Sequence, residues 1–453
     1  MKVIRKAEGR ILKAWGKQKE KAGPYRLIKY VISNEIEGTL YLHHVITGEM
    51  IALSEKEKAF FYSLPQPLQE EGMELMEKHF IVPIDYDERK VVDQLRHLMQ
   101  VLFPIKEITG YTILPTTHCN ARCFYCFELG YHQEHMTPQR ASEVVDYIIS
   151  HSNKKKVSIQ WFGGEPLVGM KIIHQISSEL KEKGVEFTSS MISNGALFNE
   201  EVIQEAKDLW KLQMVQITID GTEKIYNIVK AYVGMKDNPY KKVMHNIRLL
   251  SDAGIRVSIR INLGFHNMDD TQKLIQELSE TFKDCENVTF YVHELFENEG
   301  KDARPYTDQE RDQLMNMVND LNQSIESQGK YIRHMSLPSL KTGHCMADQD
   351  AHVIIQPGGQ LCKCEHENAQ ESFGSIDSDN WNIEHLSAWK KHSYDKTCFD
   401  CPLYPNCYIP DQCPSKKDCL LTKQKNQKIK EVQKNMMLYL NDKKEKNEDE
   451  VTC

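Results

Sequence analysis

Two β-rich runs open the patterned part of the chain, "YRLIKYVISN" from Pro24 onward and "GTLYLHHVITGEMIAL", with "TGE" predicting a turn inside the second. The stretches "SEKEKAFFYSL" and "EEGMELMEKHFIV" then change to a helical spacing of apolar residues. Ser54, with Glu57 three residues later, forms a capping-box signature that opens the first of these helices. Residues 1–105 therefore predict a β-then-α unit of their own.

Between Gly110 and about Gln328 the pattern becomes strand, helix, strand, helix. The predicted strands are "YTILPTT", "VSIQWFGG", "EFTSSMISNG", "VQITIDG", "RVSIRINL" and "NVTFYVHEL", each followed by a helical stretch such as "PQRASEVVDYIISHS". Six such units predict parallel strands with covering helices, and hence an open six-stranded barrel over residues 106–330. Thr137 before Pro138 is a cap followed by a first-turn proline, and Gly254 stands where a helix should release into the next strand. Functional groups are expected at the C-terminal ends of the strands. Over 331–425 the alternation stops and cysteine, proline and glycine take over, so metal centres rather than a large apolar core should hold that part together. The tail 426–453 ends in "NDKKEKNEDEVTC" and is expected to be disordered.

Composition narrows the function classes. At 453 residues the chain predicts several domains, and its 40% hydrophobic and 27% charged shares are those of a soluble globular protein. A net charge of −8 argues against non-specific nucleic-acid binding, and no segment is apolar enough to span a membrane. Residues 1–30 carry a cluster of Lys and Arg without the apolar core of a signal peptide, so the expected location is the cytoplasm. Thirteen cysteines are then hard to explain as disulfides, and eleven of them fall into two groups, Cys119 to Cys126 and Cys345 to Cys419.

Cys119, Cys123 and Cys126 follow the first barrel strand directly, on the first βα loop. A closed structural zinc site takes four ligands, whereas a 4Fe-4S cluster held by three thiolates keeps one iron free to bind a substrate or cofactor. Zinc completed by His118 or His132 is the alternative reading of the triplet. The CxxxCxxC spacing, with Tyr125 before the last cysteine, resembles the radical S-adenosylmethionine (SAM) enzymes, in which the open iron chelates the amino and carboxylate groups of SAM. Two further stretches fall where that resemblance implies cofactor contacts. "GGEP" (Gly163, Gly164, Glu165, Pro166) ends the second strand and corresponds to the loop that binds the SAM amino group, its glycines letting the backbone come close. Ser193 and Asn194 of "SNG" end the third strand and resemble the position that contacts ribose or carboxylate. Arg260 and Asn262 alternate along "RVSIRINL" and should share a face; Arg260 resembles the residue that fixes the SAM carboxylate. Taken singly, a Gly-Gly turn or a strand arginine is ordinary structure; it is their order after the cysteines that carries the resemblance.

The second cysteine group resembles the SPASM extension of radical SAM enzymes that act on peptides, which holds two auxiliary clusters. The resemblance implies Cys398, Cys401, Cys407 and Cys419 at the distal cluster, and Cys345, Cys364 and Cys413 at the proximal one. Five residues separate Cys407 from Cys413 where the pattern has three, and Cys362 is additional: either the fourth proximal ligand, or a bystander beside an open iron that a substrate thiolate could bind. Zinc-ribbon sites are the alternative for this region. The N-terminal unit resembles the element with which peptide-modifying enzymes add a precursor's leader as an extra strand, with a packing-only winged-helix scaffold as the alternative.

The implied fold is α/β: a partial (β/α)6 radical SAM barrel, an N-terminal winged-helix-like peptide-recognition domain and a C-terminal cysteine-rich SPASM domain. The implied activity is a peptide maturase with SAM and three 4Fe-4S clusters, joining a cysteine sulfur to a carbon of a ribosomally made precursor through a 5'-deoxyadenosyl radical. A Cβ attachment at an acidic residue is expected over a Cα one. Carbon–carbon crosslinking, formylglycine formation and a zinc-stabilised scaffold without catalysis are the alternatives. Glu365, directly after Cys364, resembles an acid beside the proximal cluster of sulfatase-maturing relatives and is the candidate proton acceptor; Asp220 of "TIDG" either faces substrate or begins a turn. The expected partners are a leader-bearing precursor peptide and an electron donor such as flavodoxin or ferredoxin, with no nucleic acid and no membrane.

Overall fold

The computed structural model describes residues 1–104, 106–153, 155–295, 304–331, 337–343, 345–394, 396–414 and 421–451. The chain divides into two compact units, one comprising residues 106–333 with 350–386, the other residues 1–105 with 334–349 and 387–453.

In the larger unit, six parallel strands follow the predicted order: β1 (Gly110–Ile113), β2 (Val157–Trp161), β3 (Phe187–Ser193), β4 (Leu212–Thr218), β5 (Arg256–Leu263) and β6 (Val288–Glu294). Each pairs with its sequence neighbour, as connections through covering helices require. Strict alternation of buried and half-buried residues along β3 leaves one set of side chains for the helices and the other for the inside. Ile113, Ile159, Trp161, Met191, Val215, Ile217, Ile259 and Phe290 are among its buried core residues. The helix starting at Pro138 is capped by Thr137, whose hydroxyl accepts the Arg140 amide, and Gly254 takes φ +81° just past the helix Pro239–Asp252. The sheet does not close. Beyond β1 it continues through β7 (His352–Ile355, parallel to β1) into the antiparallel β8 (Gln360–Cys362) and β9 (Gly374–Ser375), giving nine strands.

The smaller unit carries an antiparallel sheet in the order Lys2–Arg5, Met50–Ala52, Thr39–His44, Val31–Ile36, and a second of three short strands, Gln66–Pro67, Pro24–Leu27 and Ile81–Pro83. The Ser54–Glu57 capping box opens the helix Glu55–Tyr62 as its sequence predicts. The segment expected as one domain over 331–425 is split: 350–386 belongs with the barrel, because β7 pairs with β1, and the remainder belongs with the N-terminal residues.

Of the tail expected to be disordered over 426–453, residues 426–451 are instead helical, within a helix spanning Leu421–Val451. Ile429, Val432, Met436, Tyr439 and Leu440 recur at three- and four-residue intervals along it, and Val432 and Met436 are buried in the same core as Leu42, Ile51 and Leu75. Burial of this stripe offsets the ordering cost that a Lys- and Glu-rich segment cannot meet alone. Among the described residues no helix is long and apolar enough to cross a membrane.

Candidate active site

At the C-terminal ends of the strands lies a cavity of about 230 Å³. The first βα loop contributes Cys119, Cys123 and Cys126 to its lining; the second contributes Gly163 and Gly164, the third Ser193 and Asn194, and β5 contributes Arg260 and Asn262. Tyr125, Lys230, Glu128 and Glu365 also line it. Residues far apart in sequence thus meet because every βα loop leaves the sheet on the same side.

The cysteine loop is fixed by its own hydrogen bonds. The Thr116 hydroxyl donates to the Glu134 carbonyl at 2.9 Å, the Thr117 amide to the same carbonyl at 3.0 Å, and the Cys126 amide to the Cys123 carbonyl at 3.2 Å. The His118 ring stacks on His135 with centroids 4.1 Å apart. Burial pushes the Cys119 thiol up to about 11 and the Cys126 thiol up to about 12, so burial by itself disfavours their thiolate forms.

Gly163 and Gly164 serve the cysteine loop. A Cβ on Gly163, which has φ +108°, would lie 2.3 Å from the Thr116 carbonyl oxygen. One on Gly164 would lie 2.5 Å from the carbonyl oxygens of both Thr117 and His118. The close approach that sequence reading assigns to SAM is therefore first an approach of backbone to backbone, reinforced by the Glu165 amide donating to the His118 carbonyl at 2.9 Å. Glu165 does not line the cavity. Its buried carboxylate accepts from the Leu167 amide at 3.1 Å, the Ser193 hydroxyl at 2.9 Å and the Asn194 amide at 2.7 Å, tying the second loop to the third. Burial pushes it up to about 7 against those three donors. Pro166 is buried at the start of the turn Pro166–Gly169. Asn194 reaches back to the cysteine loop, its amide donating to Asn120 Oδ1 at 2.7 Å. Arg260 and Asn262 share a face as predicted: Arg260 Nε donates to Asn262 Oδ1 at 2.8 Å.

Asp220, for which the sequence leaves open a place facing substrate or the start of a turn, lies outside the cavity lining. It is fully buried and accepts the Tyr125 hydroxyl at 2.5 Å, the Lys230 ammonium at 2.8 Å and the Asn262 amide at 3.1 Å. Desolvation of a carboxylate demands such partners, and they leave it no face toward a ligand. Glu365 does face the cavity, with Gln160 Nε2 donating to it. Burial raises its carboxyl, and Glu128 is pushed up to about 7, first by burial and then by Glu365.

The other cysteines lie in both units. Cys398, Cys401 and Cys407 are neighbours in the smaller unit, where the Cys401 amide donates to the Cys398 carbonyl at 3.0 Å. The buried Arg96 guanidinium holds this segment, donating to the carbonyls of Tyr404 at 2.8 Å and Cys407 at 2.9 Å. Nothing in the sequence distinguishes Arg96 from any other helical arginine. Cys345 and Cys413 belong to the same unit, Cys362 and Cys364 to the barrel unit. The Cys362 thiol is buried, donating to the Asn368 carbonyl at 3.6 Å and accepting from Gln356 at 3.7 Å. Cys419 lies outside the described residues. Among the described residues, no group of three or more His, Cys, Asp and Glu side chains is spaced to hold a single metal ion.

Three thiols on one loop, main-chain groups at Gly163–Gly164, polar groups at Ser193 and Asn194 and the guanidinium of Arg260 all face one cavity. That donor set fits an iron-sulfur cluster with one open iron beside a zwitterionic ligand. Residues 113–278, the segment that runs from the end of β1 past β5, match the model of the Radical SAM superfamily. The chain is 26% identical over 196 residues to the radical SAM cyclopropyl synthase TigE of Paramaledivibacter caminithermalis, a match covering 36% of this chain and 41% of that protein. A probable GTP 3',8-cyclase of Methanococcus maripaludis is 29% identical over 120 residues, 26% of this chain and 39% of its own length. The chain thus spans about two fifths of these curated relatives. Among solved structures, anSMEcpe with bound AdoMet and Cp18Cys peptide superposes with a TM-score of 0.56 at 16% identity, covering 73% of this chain and 99% of that one, which shows a shared fold.

Proposed function

We propose that this protein is a radical SAM peptide maturase that joins a cysteine sulfur to a carbon of a ribosomally made precursor. The observation that carries the reading is the convergence of Cys119, Cys123 and Cys126 with Arg260, Ser193 and Asn194 on one cavity. The bound peptide of the anSMEcpe structure, whose fold this chain shares, supports a peptide substrate. A 4Fe-4S cluster on the three cysteines, with SAM, would supply a carbon-centred radical able to remove a hydrogen atom from an unactivated carbon; forming the carbon–sulfur bond then releases the thiol proton and one electron, which an auxiliary cluster on the second cysteine group would accept. Arg260 would hold the cofactor carboxylate through its guanidinium fork, and Ser193 and Asn194 would contact its ribose or carboxylate. Burial of the reacting carbon in this cavity would keep it from water. Glu365, half-buried at the cavity wall with its carboxyl raised by burial, is the candidate acceptor for the proton of the peptide thiol.

The smaller unit is the proposed leader site. Its strand Val31–Ile36 ends a sheet, and the Ser33 carbonyl there already accepts Gln433 Nε2 at 2.8 Å while Asn34 Nδ2 donates to the Gln433 carbonyl at 3.0 Å. A leader adding as a strand at this edge replaces bonds that the C-terminal helix makes.

The test is anaerobic incubation with SAM, a reductant and a short cysteine-containing precursor, read by mass spectrometry before and after alkylation. The expected product has lost two hydrogen atoms and resists alkylation at the crosslinked cysteine. Loss of two hydrogens with every thiol still alkylated assigns carbon–carbon chemistry or formylglycine formation at a serine, loss of one thiol with its sulfur exchanged for oxygen assigns formylglycine formation at a cysteine, and an unchanged peptide contradicts the maturase reading.

A further inference from the structure

The residue that sequence reading misses at this site is Lys230. It ends the helix Glu223–Lys230, is 1% exposed, and lines the cavity. Its ammonium lies 2.8 Å from Asp220 Oδ2, 2.9 Å from the Tyr125 hydroxyl and 2.5 Å from the Thr218 hydroxyl. A buried lysine forfeits its hydration, and these three oxygens replace it.

The surroundings of Lys230 grip the cysteine loop at successive points. The Arg122 amide donates to the Lys230 carbonyl at 2.8 Å, and the Val233 amide to the Asn120 carbonyl at 2.8 Å. Between them Ala231 takes φ +44°, the left-handed region that an alanine enters at a cost of about 1–2 kcal/mol. With the side-chain bond to Tyr125, the segment 230–233 therefore holds Asn120, Arg122 and Tyr125, the residues interleaved between Cys119, Cys123 and Cys126. Asp220 completes the frame by accepting the Tyr125 hydroxyl and the Asn262 amide.

The charges are not placed symmetrically about the cysteines. Lys230 lines the cavity that Cys119, Cys123 and Cys126 share, whereas Asp220 does not, so the cation is the member of the pair that faces the cluster site. A cation whose field reaches the cluster ligands stabilises the more negative, reduced cluster over the oxidised one.

We propose that Lys230 is a positioning residue for the cysteine loop, holding Tyr125 in register with Asp220, and that its charge raises the reduction potential of the cluster bound by Cys119, Cys123 and Cys126. This rests on the reading of that loop as the SAM-cluster site. Asp220 is then the counter-charge that moderates the effect, and it touches neither cofactor nor substrate.

The experiment compares full-length wild type with K230M, K230R and D220N, reconstituted anaerobically. The readout is an EPR-monitored redox titration of the reduced cluster whose signal changes when SAM is added, which separates it from auxiliary clusters. K230M is expected to shift that potential negative, K230R to restore it, and D220N to shift it positive, because Lys230 keeps its charge beside the cluster thiolates. K230M with wild-type iron and a wild-type potential overturns the proposal, as do K230M and D220N moving in the same direction. Should K230M fail to load its cluster, D220N alone decides: a positive shift supports the proposal and an unmoved or negative potential overturns it. A wild type with no SAM-responsive signal overturns both this proposal and the radical SAM site, whereas an unmoved potential overturns this one only.

Discussion

Replacing Cys119, Cys123 and Cys126 together by alanine is expected to lower the iron content of anaerobically purified protein from about twelve to about eight atoms per chain, and to abolish activity. The three thiols face one cavity from one loop, so losing them removes a whole cluster rather than weakening several. The other cysteines stay folded by different contacts. Cys398 and Cys401 are buried in the core of the smaller unit, and Arg96 holds their segment through the Tyr404 and Cys407 carbonyls. Eight irons with a persisting charge-transfer spectrum is therefore the expected remainder, and elemental analysis checks it. An unchanged iron content, or zinc in place of iron, would place metal elsewhere and contradict the site.

The second large effect is expected at Gly164. A Cβ there lies 2.5 Å from two carbonyl oxygens, and neither is the movable end of a flexible side chain. Gly164→Val must push the backbone at Thr117 and His118 away from the second βα loop, carrying Cys119 with it. The expected cost is about 2–4 kcal/mol in stability, with loss of the SAM-responsive cluster from whatever protein folds. Gly254→Ala is the control: its φ of +81° strains an alanine, but nothing lies within 4 Å of the added carbon. It should cost about 1–2 kcal/mol and leave the cluster in place. Thermal denaturation and iron content of the two variants distinguish the cases; equal losses in both would mean that the contact with the cysteine loop carries no weight.

Much of the barrel is legible in the sequence because apolar runs of strand length recur at regular intervals between capped helices, and a parallel sheet buries both faces of such runs. The cysteine loop is legible from its spacing and from its place after the first of them. Lys230 is not, because a lysine in the last turn of an amphipathic helix ordinarily lies in water. Only the fold brings it to Tyr125 and Asp220, 105 and 10 positions away. Asp220 misleads for the same reason, since a carboxylate just after a strand offers no sign of which way it is engaged. The C-terminal helix hides its apolar stripe among lysines and glutamates, so composition argues for disorder while the four-residue spacing of Val432, Met436 and Leu440 argues for burial. The division of 331–425 rests on the pairing of β7 with β1, whose partner residues such as His352 and Gly110 no local pattern brings together.

The central claim is that the cavity at the strand ends cleaves SAM reductively. Its most direct measurement is 5'-deoxyadenosine released under anaerobic conditions with SAM and a strong reductant. Wild type is expected to form it, and the triple alanine variant at Cys119, Cys123 and Cys126 to form none. Wild type that holds its full iron yet releases no 5'-deoxyadenosine, or a triple variant that still does, would contradict the account.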